Sequence, residues 1–501
     1  TPEEKTAMLH TQDNIGFLNY SAFVLTCKRG HLEIAKWLWG VCPEQEQSEM
    51  LHARYDSAFH WACGYGHLET TKWLWGLCQT PKEQSAMLHA KDDDAFGFAC
   101  QSGHLETAKW LWGECKTPEE KTAMLHVKND GPFRVACEKG HQKTAKWLYG
   151  LCKTPKEQKA MLHAGQDYAF GWACWNGYLE ISQWLWTICL DEDKKAMLHA
   201  RNDGVFTAAC GHGHLEIAKW LWGLCKTREE KTAILHAVND KAFVWACQEG
   251  HIEIAKWLWA ICPDLEQPAM LHASGDRAFR LACREGHQKV AEWLWAICPQ
   301  GEQSAMLHGR DDLAFRLACQ EGYLKLVKWL WTICPEQEQS AMLHAKNDAA
   351  FRVACQKGHI EIAKWLWENT ADDKKSEMLH ADDDCAFCVA CHEGCLEIAQ
   401  WLWSECKTPD EQSAMLHARD DYAFCLACKN GHLEMTKWLF SLYQNDLDIR
   451  LKLFNKAMII KDGIAYVLWP CLQPIEQDEI LNQGFVQDLL KKAIANNDAK
   501  D

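Results

Sequence analysis

Four cysteines crowd into one short stretch. Cys385, Cys388, Cys391 and Cys395 follow the spacing C-x2-C-x2-C-x3-C, with His392 among them. Thiolates at that spacing wrap an iron–sulfur cluster when the chain runs as a loop closed by proline. Here the run is patterned as a helix and continues into Leu396. Cys385, Cys388 and His392 then share one helix face, a set that holds zinc only with a fourth ligand from a partner. Cys391 and Cys395 occupy positions that recur at the same phase throughout the chain, so packing is the expected role and no metal site is assigned. The acidic runs Asp92–Asp94 and Asp382–Asp384 read as helix caps with solvated neighbours.

Two other sets point to recognition. Arg277, Arg280, Arg284, Arg310, Arg316, Lys346 and Arg352 gather positive charge in an otherwise acidic chain. Guanidinium groups suit bidentate contacts with carboxylate or phosphate. The competing reading is a solvated face offset by Glu285, Asp311 and Glu321. Tyr168 and Trp175 lie beside Gly171, Gly204 and Thr207 in a more aromatic stretch, where glycine next to aromatics leaves room for an apolar anchor. Trp172 and Trp245 are assigned to the core. No phosphate loop, nucleophile elbow or carboxylate pair off the repeat phase is present, so the expected protein is not an enzyme.

These residues are held by a repeated element. Lys-Trp-Leu-Trp or a near variant recurs from Trp37 to Trp438 at intervals of 36 or 37 residues, giving twelve units. A fixed period of that size marks a solenoid in which each unit buries its apolar face against its neighbours. Sorted by phase, twelve of the 27 cysteines follow Ala or Thr, as Cys63 and Cys100 do, and ten lie fifteen residues later. Twelve of the 24 histidines end Met-Leu-His or Ile-Leu-His, and 22 of the 27 tryptophans fill the two Trp-Leu-Trp positions. A residue type at fixed phase has a fixed structural job.

One unit, from Arg277 to His308, reads as three helices. Phe279, Ala282 and Cys283 form the stripe of the first, and Gly286 ends it in the left-handed region. Val290, Ala291, Leu294 and Ile297 stripe the second. Asp276 and its counterparts are placed to cap the first helix. Thr-Pro-Glu-Glu at Thr117–Glu120, or Cys-Pro as at Cys262, starts a third, short helix ending in Ala-Met-Leu-His. Its Met and Leu are expected to cover the two tryptophans.

Gly-His-Leu-Glu-Ile-Ala-Lys-Trp-Leu-Trp, at Gly30–Trp39 and Gly213–Trp222, resembles the second helix of ankyrin repeats. Asp-x-Ala-Phe-x-x-Ala-Cys takes the place of that family's Thr-Pro-Leu-His first helix, and His344–Asp348 is similar to its linker. The stretch for the β-hairpin finger is about three residues short, and the stretch before it about seven longer. The resemblance therefore implies an all-α or nearly all-α ankyrin-like solenoid, with an extra short helix in place of much of the hairpin. Three-helix armadillo-like repeats are the alternative. Residues 1–443 are expected to hold the twelve repeats, the first 20 being the tail of a preceding unit plus a loop. Residues 444–501 are expected to form a helical cap around Trp469 and Leu472.

Function is expected where the units differ. Three first-helix positions vary, at offsets 0, +3 and +7: Arg277, Arg280 and Arg284 in one unit, Tyr168, Gly171 and Trp175 in another. The resemblance implies that this face lines a concave groove. The expected function is a scaffold binding a partner protein there, the partner segment acidic or phosphorylated, with no cofactor. The family flavour also admits a secreted effector of an intracellular bacterium or a viral protein. A targeting array for an enzyme domain upstream of Thr1, and a self-assembling structural array, are the alternatives. A net charge of −16 argues against nucleic acid, and no apolar run approaches a membrane span. So many thiols outside a small disulfide scaffold point to a reducing compartment, the cytoplasm.

Overall fold

The computed structural model describes residues 20–443, 447–460, 464 and 467–482. Every regular element among them is helical, and none is a strand. The expected tail and loop of residues 1–19, and the end of the expected cap, lie outside the described residues. The chain divides into two compact units, Thr1–Ala246 with Lys256–Leu258 and Cys247–Ala255 with Trp259–Asp501.

Within each unit the three-helix repeat recurs. In the second, Ala273–Arg284 is a first helix, Gln288–Ile297 a second and Gln300–Leu307 the short third. The first helix ends as its glycine predicts. Gly286 has φ +77° and the His287 N–H reaches back to the Ala282 carbonyl at 2.9 Å, the bond that closes a Schellman end. The neighbour is fitted to that glycine, since a Cβ on it would fall 2.6 Å from the Tyr323 ring. Elsewhere the same seat holds histidine. His359 covers Gly322 and its Nε2 lies 2.9 Å from the Gln320 carbonyl.

Two kinds of start dominate the third helices. Thr117 accepts from the Glu120 N–H at 3.1 Å, and Glu120 accepts from the N–H groups of Thr117 and Lys116, a full capping box with Pro118 in the first turn. In most Cys-Pro units the proline itself is the N-cap, as Pro335 is, and Gln339 donates back to the Trp331 and Cys334 carbonyls.

Between third and first helix stands the largest departure from expectation. Three successive residues lie in the left-handed region: Arg54, Tyr55 and Asp56 at φ 53–59°, and Lys346, Asn347 and Asp348 at φ 55–57°. Each such residue other than glycine costs roughly 1–2 kcal/mol, least for Asn and Asp, which explains why the last position of the turn is Asp and the middle one mostly Asn or Asp. Asp276 is therefore not a helix cap. Its carboxylate accepts from His272 Nδ1 at 2.5 Å, and eleven such histidine–aspartate pairs occur among the described residues. This is the fixed job of the Met-Leu-His histidine.

The core is a ladder of rings. Phe351 stacks on Trp367 at 6.3 Å, and Trp401 of the next repeat meets Trp367 edge-on at 6.1 Å, the arrangement ring quadrupoles favour. Met342 and Leu343 are buried as expected, but the third-helix group over a tryptophan is a lysine where one is present: Lys375 sits 5.7 Å above Trp367. The Ala-Cys thiols are fully buried and burial pushes them far above their ordinary value. None of the 27 cysteines forms a disulfide. At the end of the second unit the buried Arg450 forks onto Glu476 at 2.6 Å and donates to the Phe440 carbonyl, tying the helix Leu447–Ile460 to the last repeat.

Candidate partner-binding face

The variable positions of the first helices do share a face, and in the first unit that face is concave. One cavity of about 270 Å³ is lined by Gly171, Trp172, Trp175, Gly204, Thr207 and Trp245, with Lys241 and four others. Another, of about 360 Å³, is lined by His60, Trp61, Asp94, Gly97, Phe98 and Lys128 among others.

Both include an offset, +4, that the pattern of variation left out. Trp172 and Trp245 are half-buried and wall the cavity instead of lying in the core. The cause is local. Gly211 lies under Trp245, where a Cβ would come within 2.3 Å of the indole, and Gly64 lies under Phe98 in the same way at 1.8 Å. A glycine at +7 paired with an aromatic at +4 of the next unit was the signal in the sequence. Trp175 completes the wall, 5.2 Å from Trp172, 5.6 Å from Trp245 and 4.2 Å from the His212 ring.

Tyr168 stands beside this wall. Its ring is 5.5 Å from Trp172 and beneath the Arg134 guanidinium at 4.9 Å, and its hydroxyl donates to Glu138 at 2.6 Å. Thr207 is 3 % exposed, lines the cavity, and has a hydroxyl that meets no hydrogen-bond partner in the protein. Buried hydroxyls are seldom left without a partner. Lys241 lies over the Trp245 ring at 5.3 Å and supplies the cavity's positive charge.

In the second unit the arginines divide into two kinds. Arg280 is 6 % exposed and donates to the Gly275 and Ser274 carbonyls at 2.9 and 3.0 Å, clamping the left-handed turn of its own repeat. Burial, then the neighbouring Arg310 charge, lower its pKa from the ordinary value. Arg316 holds the Asp311 and Arg310 carbonyls at 2.9 and 3.0 Å, and Arg352 holds that of Lys346 at 3.0 Å while pairing with Asp382. Arg134 does the same to Lys128 in the first unit. An arginine at +3 is therefore a turn clamp first. Arg284 pairs with Glu285 next to it, and Lys346 with Asp311. Arg277 and Arg310 are exposed, and no ion pair engages either among the described residues.

The four-cysteine run is not gathered into a metal centre. Cys388 and Cys391 are buried, Cys385 and Cys395 half-buried, and no three of these thiols with His392 bring their ligand atoms within 4.8 Å of one another. Cys395 takes the histidine seat over Gly358, its thiol donating to the Gln356 carbonyl.

Comparison with known proteins agrees with this architecture. A family model described as ankyrin repeats (3 copies) matches residues 22–120, 206–301 and 315–413. A solved structure of an ankyrin repeat family protein from Legionella pneumophila is similar at 19 % identity, over 61 % of this chain and 86 % of that one, with a TM-score of 0.30. The comparison with curated proteins returns no match. No helix among the described residues is long and apolar enough to cross a membrane. With more than half of its length matched by that model, and with helical repeats ending on left-handed glycines throughout, the chain belongs to the ankyrin-repeat family.

Proposed function

We propose that the chain is a protein-interaction scaffold that takes a partner segment along the first-helix face, in a reducing compartment such as the cytosol. The tryptophan-walled cavity carries the reading. It is concave and lined both by variable positions, such as Gly171, Trp175 and Thr207, and by the tryptophans at +4. Its volume is that of one or two side chains, below the roughly 300–1,000 Å³ of sites for drug-sized ligands, which favours a segment of a macromolecule. Tryptophan and tyrosine lose little rotamer freedom on contact, so Trp175, Trp172 and Tyr168 suit an anchor site.

Charge gives the partner its sign. Lys241 at the cavity, and the exposed Arg277 and Arg310 of the second unit, favour an acidic or phosphorylated segment. Arg284 contributes on opening its pair with Glu285. Arg280, Arg316 and Arg352 act by holding the turns in place.

Selection of random displayed peptides on the purified chain tests this. Enriched sequences should pair an apolar or aromatic anchor with Asp, Glu or phosphorylated residues, and lose at least tenfold in affinity to Trp175→Ala/Trp245→Ala. Enrichment of basic sequences, or equal affinity for the variant, would remove this face from the account.

A further inference from the structure

Where one repeat meets the next in the second unit, three metal-ligating residues from different elements converge. His308 ends one third helix, Cys334 ends the following second helix, and Glu338 lies in the next third helix. A ring nitrogen of His308, Cys334 Sγ and a Glu338 oxygen all fall within 4.8 Å of one another. His308 Nδ1 faces Asp312 at 2.5 Å, while Nε2 faces Glu338 at 2.8 Å. A neutral imidazole has one N–H, so with Nδ1–H donated to Asp312 the Nε2 lone pair points at a carboxylate. That contact calls for a second proton or a cation.

The surroundings favour the cation. Asp312 is buried, and the ion pairs among the described residues give neither Asp312 nor Glu338 a lysine or arginine. One equivalent junction, that of the neighbouring Cys-Pro unit, repeats the contact, with His272 Nε2 2.7 Å from Glu302, while junctions of other types are balanced internally. At His163 the corresponding acid, Asp193, is neutralised by Lys159 at 2.7 Å. At His344 the thiol and acid positions hold Thr370 and Lys374. In the Thr-Pro units the glutamate is spent on its own helix start, as Glu157 is on the Lys153 N–H. The set therefore belongs to the Cys-Pro units and is not imposed on every repeat.

We propose that His308, Cys334 and Glu338 form a site for a zinc-class divalent cation. Imidazole, thiolate and carboxylate are all zinc ligands, and a carboxylate on the far imidazole nitrogen, as Asp312 provides, fixes the tautomer that leaves Nε2 free. Glu338, with 43 % of its side chain exposed, swings outward to admit the ion, and water fills the fourth position. Binding releases the Cys334 thiol proton to solvent. The ion bridges two repeats, so it would lock that junction.

The test is titration of the reduced, chelator-stripped full chain with Co(II), followed by the thiolate-to-cobalt absorption band and by its displacement with Zn(II). Circular dichroism first establishes that each variant folds. Wild type should show the band, Cys334→Ser should lose one bound equivalent, and Glu338→Gln, a change at an exposed side chain, should bind at least tenfold more weakly. Cys152→Ser, at a Thr-Pro junction, should match wild type. Absence of the band, equal stoichiometry in wild type and Cys334→Ser, or an equal loss in Cys152→Ser would overturn the site. So would unchanged affinity in Glu338→Gln, which also decides the matter should Cys334→Ser not fold.

Discussion

Arg280 and Arg277 stand three residues apart and do different work. Arg280 is buried on two carbonyls of a left-handed turn, whereas Arg277 is exposed. Hydrogen bonds from charged groups contribute about 1.5–3 kcal/mol, and the carbonyls left behind stay poorly satisfied. Arg280→Gln should therefore lower stability by about that much, and Arg277→Gln by less than about 0.5 kcal/mol. Urea unfolding of the two variants checks this, and equal midpoints would contradict the clamp. The arginines were legible in the sequence as a recurring phase, but their job was not. Recurrence at +3 followed from the turn each clamps, and a turn of three left-handed residues has no simple hydrophobic period. Trp172 and Trp245 were misplaced for a related reason. The exposure of Trp245 depends on a glycine one repeat away, Gly211, which lies under its ring.

Among the elements, all three helices of the repeat were readable because apolar spacing, the Gly286 stop and the Thr-Pro start of the third helix are local signals. The absent hairpin was readable from lengths alone. The conformation that replaced it, and the histidine–aspartate pairs within it, depended on contacts that spacing does not encode. Helix packing also fixes a pH response. Burial raises the thiols of Cys27 and Cys174 from 9.0 to about 12, and those of Cys42 and Cys78 to about 11. The native state keeps protons that the unfolded chain gives up, so stability is full below about pH 9 and falls as pH rises towards 11–12. Denaturant midpoints measured from pH 7 to about 10.5, under reducing conditions, should drop steeply above 9. A flat profile would mean the thiols ionise in place.

Across the whole molecule, the period of 36–37 residues and the family were legible because twelve copies average out local ambiguity. The end of the second unit carries its own device. Breaking a buried ion pair by removing one partner costs about 3–5 kcal/mol, so Arg450→Met should detach the helix Leu447–Ile460 from the last repeat. In a solenoid such damage stays near the end, because each repeat contacts only its neighbours. Hydrogen exchange should show lost protection around Leu433–Leu442 and Leu447–Ile460, with residues before about 400 unchanged. Uniform loss would contradict that picture. The central claim is that the first-helix face binds a partner. Its most direct test is quantitative affinity capture from a cell lysate, comparing wild type with Trp175→Ala/Lys241→Glu, with Arg277→Glu/Arg310→Glu, and with Lys36→Glu/Lys72→Glu on the second helices. One or more partners should be at least tenfold depleted in either of the first two variants and retained in the third. Equal capture by all four chains would contradict it.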